Sequence, residues 1–256
     1  MTGLEIAALM AAAAAAGLIN AVAGGGTLVT FPTLLMFGTL PKMANATSTF
    51  ALVIGTFGGV AGYRRQLAAV KPWLWRFIPP SILGGGIGAK LLDFTSDRLF
   101  SRLVPFLILF ATILFVGQGL MRRWIGSKDA GPARPGMIWA AVAFHFAVSV
   151  YGGYFGAGIG ILMLASLGFI GLTDIHEMNA LKTVLGSLIN IVATLVFIHA
   201  GLVHWPKAGV MTIGAFAGYY VGSHFAQRIP QARVRQIITA VGFLIAGWTF
   251  YKEFLK

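Results

Sequence analysis

Long apolar runs alternate with short polar gaps along the whole chain. Apolar residues dominate at roughly 4–22, 27–41, 46–63, 73–92 and 100–120, and again at about 137–155, 160–172, 180–199, 207–226 and 233–251. A bilayer-crossing helix needs about 20 predominantly apolar residues. The pattern therefore predicts an all-α integral membrane protein. Residues 121–136 are the most polar stretch and include two Pro and three Gly, so they read as a linker loop. This divides the chain into a first membrane repeat, residues 1–120, and a second, residues 137–256.

Each half opens on a run broken by glycine. The first break is Ala23-Gly24-Gly25-Gly26-Thr27 and the second is Gly156-Ala157-Gly158-Ile159-Gly160. Each is followed by a short apolar segment and an Asn-Ala pair, Asn45-Ala46 and Asn179-Ala180. A shift of 134 residues superposes Gly24 on Gly158, Gly26 on Gly160, Asn45 on Asn179 and Thr49 on Thr183 without a gap. The matched order implies two homologous halves, each a glycine-broken helix pair followed by three transmembrane helices. As one straight helix, residues 4–41 would be about 57 Å long, too long for a hydrocarbon core of about 30 Å. The pair either re-enters as a hairpin, giving inverted repeats, or crosses once as a broken helix, giving parallel repeats. Lys and Arg split 12 to 7 between the two sides for hairpins and 11 to 8 for single crossings. An excess of positive charge marks the cytoplasmic side, but a difference of one residue leaves both topologies open.

Composition agrees with the membrane reading. The chain is 57% hydrophobic and 10% charged, against about a quarter charged in a soluble domain. Its net charge of +12 sits in the gaps between apolar runs, as in loops facing anionic lipid, so no nucleic-acid partner is expected. No cysteine is present, which excludes disulfides and thiolate-bound metals. No metal-ligand spacing, catalytic motif or cofactor signature is found, so the protein is not read as an enzyme. Residues 1–23 end in a small-residue stretch, but no basic residue precedes the apolar run and Glu5 lies near its start. They read as a retained first membrane element, not a cleaved leader.

The breaks carry the candidate chemistry. Glycine lets backbone approach a ligand, and a helix opening at Thr27 would aim N–H groups and a positive dipole end at an anion. Gly24, Gly25, Gly26 and Thr27 are thus candidate substrate contacts, with Gly158 and Gly160 as their counterparts. Asn20 precedes the first break and either satisfies freed backbone groups or touches substrate. Thr47, Ser48 and Thr49 offer hydroxyl donors; Thr183 matches Thr49. Asn45 and Asn179 contact substrate or cap helix N-termini. Lys182, one turn into an apolar helix, is a candidate positive charge unless it snorkels to the interface. Tyr151 and Tyr154 line a pore or pack. Gly55, Gly59, Gly84, Gly88, Gly214, Gly218 and Gly222 fit close helix packing. No carboxylate lies deep in a span, which disfavours a cation substrate. A proton-coupling group would be His145, His199, His224 or Glu177, although a lone His in a span is more often structural.

The stretch from Asn20 to Gly26, the following Phe31-Pro32, and Ala44-Asn45-Ala46-Thr47-Ser48 resemble the first half of the TauE/SafE sulfite-exporter family. Gly156–Gly160 and Met178-Asn179-Ala180-Leu181-Lys182-Thr183 resemble its second half. The resemblance implies a multi-pass protein of the bacterial inner membrane that exports or takes up small sulfur-containing anions such as sulfite or organosulfonates, with protons as the coupling ion. It leaves an anion channel, a uniporter or a non-transporting scaffold as alternatives. The second half lacks an Asn before its break, which predicts an asymmetric site. Small-residue faces permit a homodimer.

Overall fold

The structure is a computed structural model. It describes residues 1–255 except 23–24, 61–63, 126–134, 169, 171, 173–174 and 226–230. Ten α-helices are found among the described residues, and no strand. They are α1 (Gly3–Val22), α2 (Thr27–Met36), α3 (Pro41–Val60), α4 (Arg64–Phe94), α5 (Asp97–Ile125), α6 (Pro135–Tyr154), α7 (Ile159–Gly168), α8 (Ile175–His199), α9 (Trp205–Phe225) and α10 (Gln231–Phe250). Five stretches within these helices are long and apolar enough to cross a membrane, in α1, α5, α6, α8 and from α10 to Leu255. Large apolar side chains such as Trp75, Leu83, Phe106, Trp139, Leu195, Phe216 and Leu244 are exposed. In water such a surface would aggregate; in a bilayer it faces acyl chains.

Several boundaries differ from the hydropathy pattern for identifiable reasons. α2 stops at Met36, although apolar residues continue to about 41, because Gly38 takes φ +72°. The Thr39 N–H then reaches back to the Leu34 carbonyl at 3.0 Å, closing the helix end as glycine-terminated helices do. α3 starts at Pro41, and proline suits a first helical position, so its N-terminus lies one turn before the predicted 46. α8 likewise starts at 175, not 180. α5 runs to Ile125 and α6 begins at Pro135; residues 126–134, the middle of the expected linker, lie outside the described set.

Each glycine break folds its helix pair into a hairpin. α2 begins alongside the last two turns of α1: a Cβ on Gly26 would lie 2.5 Å from the Ala16 carbonyl oxygen. At the open end, Lys207 of α9 joins both arms. Its ammonium donates to the Phe37 carbonyl (2.9 Å) and Thr39 Oγ1 (3.0 Å), and pairs with the Glu5 carboxylate (2.8 Å). In the second pair, a Cβ on Gly152 of α6 would lie 2.7 Å from Ile159 of α7. Further along, His145 Nδ1 and Ser166 Oγ are 3.3 Å apart. The alternative of a broken helix crossing once does not fit these contacts.

The two hairpins open toward opposite ends of the bundle. The starts of α1, α3, α5 and α9 share one end with the finish of α2, α4 and α10. Lys207 links α9 to Glu5 and Phe37, Lys42 of α3 reaches the Asp93 carbonyl of α4, and one crevice is lined by Gly38, Pro41, Ser101 and Thr249. We call this the termini end. α6 finishes toward it, since its last carbonyl bonds Asn45 in the second turn of α3; α6 therefore starts at the far end.

Helix contacts interlock the two parts of the chain. α1 packs on α9 and α6 packs on α4; α3 packs on α9 and α8 on α4; α3 meets α8, and α5 meets α10. Glycines allow these crossings. A Cβ on Gly218 would collide with the Ala14 carbonyl of α1, and one on Gly88 with the Val150 carbonyl of α6. Gly84, Gly214 and Gly222 meet α6 or α1 in the same way, and Gly55 lies against Tyr219. Small residues at such contacts let dispersion and polar contacts hold helices together where lipid removes the hydrophobic drive.

Candidate functional site

The first break turns at Gly25, whose φ of +95° is left-handed and costs glycine little. A Cβ there would also collide with the Phe115 ring of α5. Asn20 accepts the Gly26 N–H through Oδ1 at 2.7 Å. Asn20 thus satisfies backbone freed by the break, and the Gly26 N–H is already engaged by protein. Gly24 lies outside the described residues. Thr27 opens α2, and Thr30 and Ser48 bring their hydroxyl oxygens within 2.6 Å, joining α2 to α3.

The second break turns at Gly156 and Gly158, each with φ +77°. The Tyr151 hydroxyl donates to the Ala157 carbonyl inside the turn at 2.7 Å. Phe155 packs edge-on against Phe31 of α2, with ring centroids 5.3 Å apart. A Cβ on Gly158 would touch Leu114 and Ala111 of α5 at 3.5 and 3.6 Å. The two breaks therefore abut the same stretch of α5, residues 111–115.

Asn45 belongs to the second break. Its Nδ2 donates to the Tyr154 carbonyl at 3.1 Å, a group left over at the C-terminus of α6. Asn45 is not a helix cap, because α3 begins at Pro41. The same correction applies to Asn179, which lies in the second turn of α8 and accepts from Lys182 Nζ at 2.9 Å. The missing Asn before the second break is thus offset by an amide from α3. On the other flank of this break, the Lys182 stem lies along Gly160, 3.4 Å from where a Cβ would sit. Asn190 Oδ1 lies 3.9 Å from the Cβ position of Gly156.

The hydroxyls are more committed than their sequence suggests. Thr49 donates to the Asn45 carbonyl (2.9 Å) and Thr183 to the Asn179 carbonyl (2.7 Å), the usual i−4 bond of a helical Thr. Thr47 accepts the His204 N–H at 3.0 Å. Ser187 of α8 meets Thr56 of α3 at 3.3 Å. His145 is buried between Ser81 (2.8 Å) and Ser166 (3.3 Å), edge-on to Phe77, the arrangement of a structural histidine. Tyr154 places its hydroxyl 3.3 Å from Thr95. The described carboxylates, Glu5, Asp93, Asp97, Glu177 and Glu253, lie near helix ends.

Two residues escaped the sequence reading. Lys42 and Lys207 are both buried near the termini end. The signal for Lys42 was Pro41, which as a helix start places the lysine in the first turn of α3.

A helical bundle with an apolar outer surface and two glycine-turned hairpins meeting on one helix defines a multi-pass membrane protein. The chain belongs to the sulfite exporter TauE/SafE family, whose model matches residues 9–249. Among curated relatives, a "Probable membrane transporter protein" of Haemophilus influenzae is 26% identical over 239 residues, covering 93% of this chain and 91% of that protein. "Probable membrane transporter protein YfcA" of Escherichia coli K12 is 27% identical, covering 92% and 86%. "Probable membrane transporter protein ORF9" of a Sinorhizobium species is 27% identical, covering 94% and 90%. No solved structure matches the chain.

Proposed function

We propose that this protein is a secondary transporter of small sulfur-containing anions, such as sulfite or organosulfonates, in the bacterial inner membrane. The carrying observation is the meeting of both glycine breaks on α5 at residues 111–115, with Lys182 against the second. Discontinuous helices at corresponding places of two halves build transporter sites. Left-handed glycines keep side chains out of the path there, and Lys182 supplies the charge that selects an anion. Described carboxylates kept to helix ends leave the interior free of repulsion.

The two halves, α1–α5 and α6–α10, are inverted repeats in this reading. Exchanging each helix for its counterpart turns the α1–α9 contact into α6–α4 and the α3–α9 contact into α8–α4. Opposite-facing hairpins are what inversion produces. Rocking of one half against the other then moves access across the site. The far end bears more positive charge and faces the cytoplasm. Export is the direction taken from the family's name, and the proton motive force is the driving gradient.

Flux in proteoliposomes tests this reading. Vesicles loaded with sulfite and given a pH gradient should show saturable efflux that a proton ionophore abolishes. Saturable flux indifferent to the ionophore means a uniporter, and flux that does not saturate means a channel. Absence of flux for any sulfur oxyanion sinks the proposal.

A further inference from the structure

Lys42 and Asn45 lie three residues apart on α3, hence on one face of that helix. Both side chains are buried, Lys42 at 8% exposure and Asn45 at 1%. Among the described residues the Lys42 ammonium donates to one acceptor, the Asp93 main-chain carbonyl at 2.9 Å. Among the described residues it makes no ion pair, because the Asp93 carboxylate turns to Lys90 at 3.1 Å. An ammonium has three donors, and a buried charge is costly unless paired. Lys207 shows how this fold completes a structural lysine: it gathers a carbonyl, a hydroxyl and a carboxylate.

The Asn45 amide is left with the opposite need. Its Nδ2 is committed to the Tyr154 carbonyl, and among the described residues its buried Oδ1 accepts no hydrogen bond. The amide cannot turn over, because Oδ1 would then face a carbonyl oxygen. Oδ1 shares its carbon with Nδ2 and so lies at the edge of the second break. One helix face thus presents spare cationic donors and, one turn on, a spare acceptor.

We propose that Lys42 and Asn45 form a second anion station, at the termini end of the second break, that selects oxyanions carrying a hydrogen-bond donor. Hydrogensulfite is the simplest such ligand: an anionic oxygen takes the Lys42 ammonium and the acidic hydrogen goes to Asn45 Oδ1. The station rests on the transporter reading and deepens it. Lys182 flanks the same break toward the far end, so each end has its own cation. A sulfonate without a donor hydrogen leaves Oδ1 unsatisfied, which costs roughly tenfold or more in affinity.

The test is calorimetry on the purified full-length protein at acidic pH, where sulfite carries one proton, with methanesulfonate as the donor-free probe. Wild type should bind hydrogensulfite at least tenfold tighter. Lys42→Gln keeps a donor for Asp93 and should weaken both anions about tenfold; Asn45→Leu should erase the preference. In oriented proteoliposomes, Lys42→Gln should raise KM only for anion offered from the termini side, a readout that does not depend on the Asn45 variant folding. Equal binding of the two anions by wild type, or a Lys42→Gln protein with unchanged affinity and unchanged KM on both sides, overturns the station while leaving the transporter reading standing. A wild type with neither binding nor flux removes both.

Discussion

Replacing Gly218 by Ala inserts a methyl group where α9 crosses α1. That Cβ would collide with the Ala14 carbonyl oxygen and lie 2.7 and 2.8 Å from the Ala14 carbonyl carbon and Cα. These are backbone atoms, so no side-chain rotation relieves the overlap and the helices must separate. Overpacking of a close contact costs about 1–3 kcal/mol, against a gain of about 0.5–1 kcal/mol for Ala over Gly within a helix. The separation also spreads along the interface, because Gly17, Gly214 and Gly222 make the same crossing. The net loss corresponds to a fall of several degrees in melting temperature, at about 2–4 °C per kcal/mol for a chain of this size. Gly88→Ala, against the Val150 carbonyl, should behave alike. Gly209→Ala, on the same helix α9 with nothing within 4 Å of its Cβ, should be neutral or slightly stabilising. Melting of the detergent-purified variants, followed by fluorescence-detected aggregation, gives the comparison. A Gly218→Ala protein as stable as the Gly209→Ala control would refute the close crossing.

Gly25→Ala combines a left-handed backbone with the Phe115 ring, and should lower flux more than it lowers expression; unchanged flux would remove the first break from the path. Asn20→Leu strands the Gly26 N–H, costing about 1–3 kcal/mol, measurable as a lower melting temperature. Lys207→Met should destabilise more than Glu5→Gln, because the ammonium keeps Phe37 and Thr39 after the carboxylate is lost; the reverse order in melting would contradict this. His145→Ala should reduce stability and leave the pH profile of transport where it was, since both ring nitrogens are engaged by serines.

The ten apolar runs were legible because each spanning segment must satisfy its own backbone in lipid, and that demand is written locally. Both glycine breaks were legible for the same reason. Hairpin versus single crossing was not, because the loop charges differ by one residue between the two. The deciding contacts join Lys207 to Glu5, Phe37 and Thr39, residues far apart in the chain. The role of Asn45 was hidden in a similar way: its partner Tyr154 lies 109 residues away. Lys42 falls in the gap between the apolar runs 27–41 and 46–63, where nothing sets it apart from the other charges between runs.

The central claim is that small sulfur oxyanions pass between the two breaks, from one side at a time. The absence of cysteine makes single-cysteine labelling clean. Thr183→Cys, next to Lys182 and one turn from Asn179, should react with a membrane-impermeant maleimide in oriented vesicles. A small organosulfonate should slow that reaction, and a pH gradient should shift the reactive side. A rate that ignores the anion and the gradient from both sides would contradict the account.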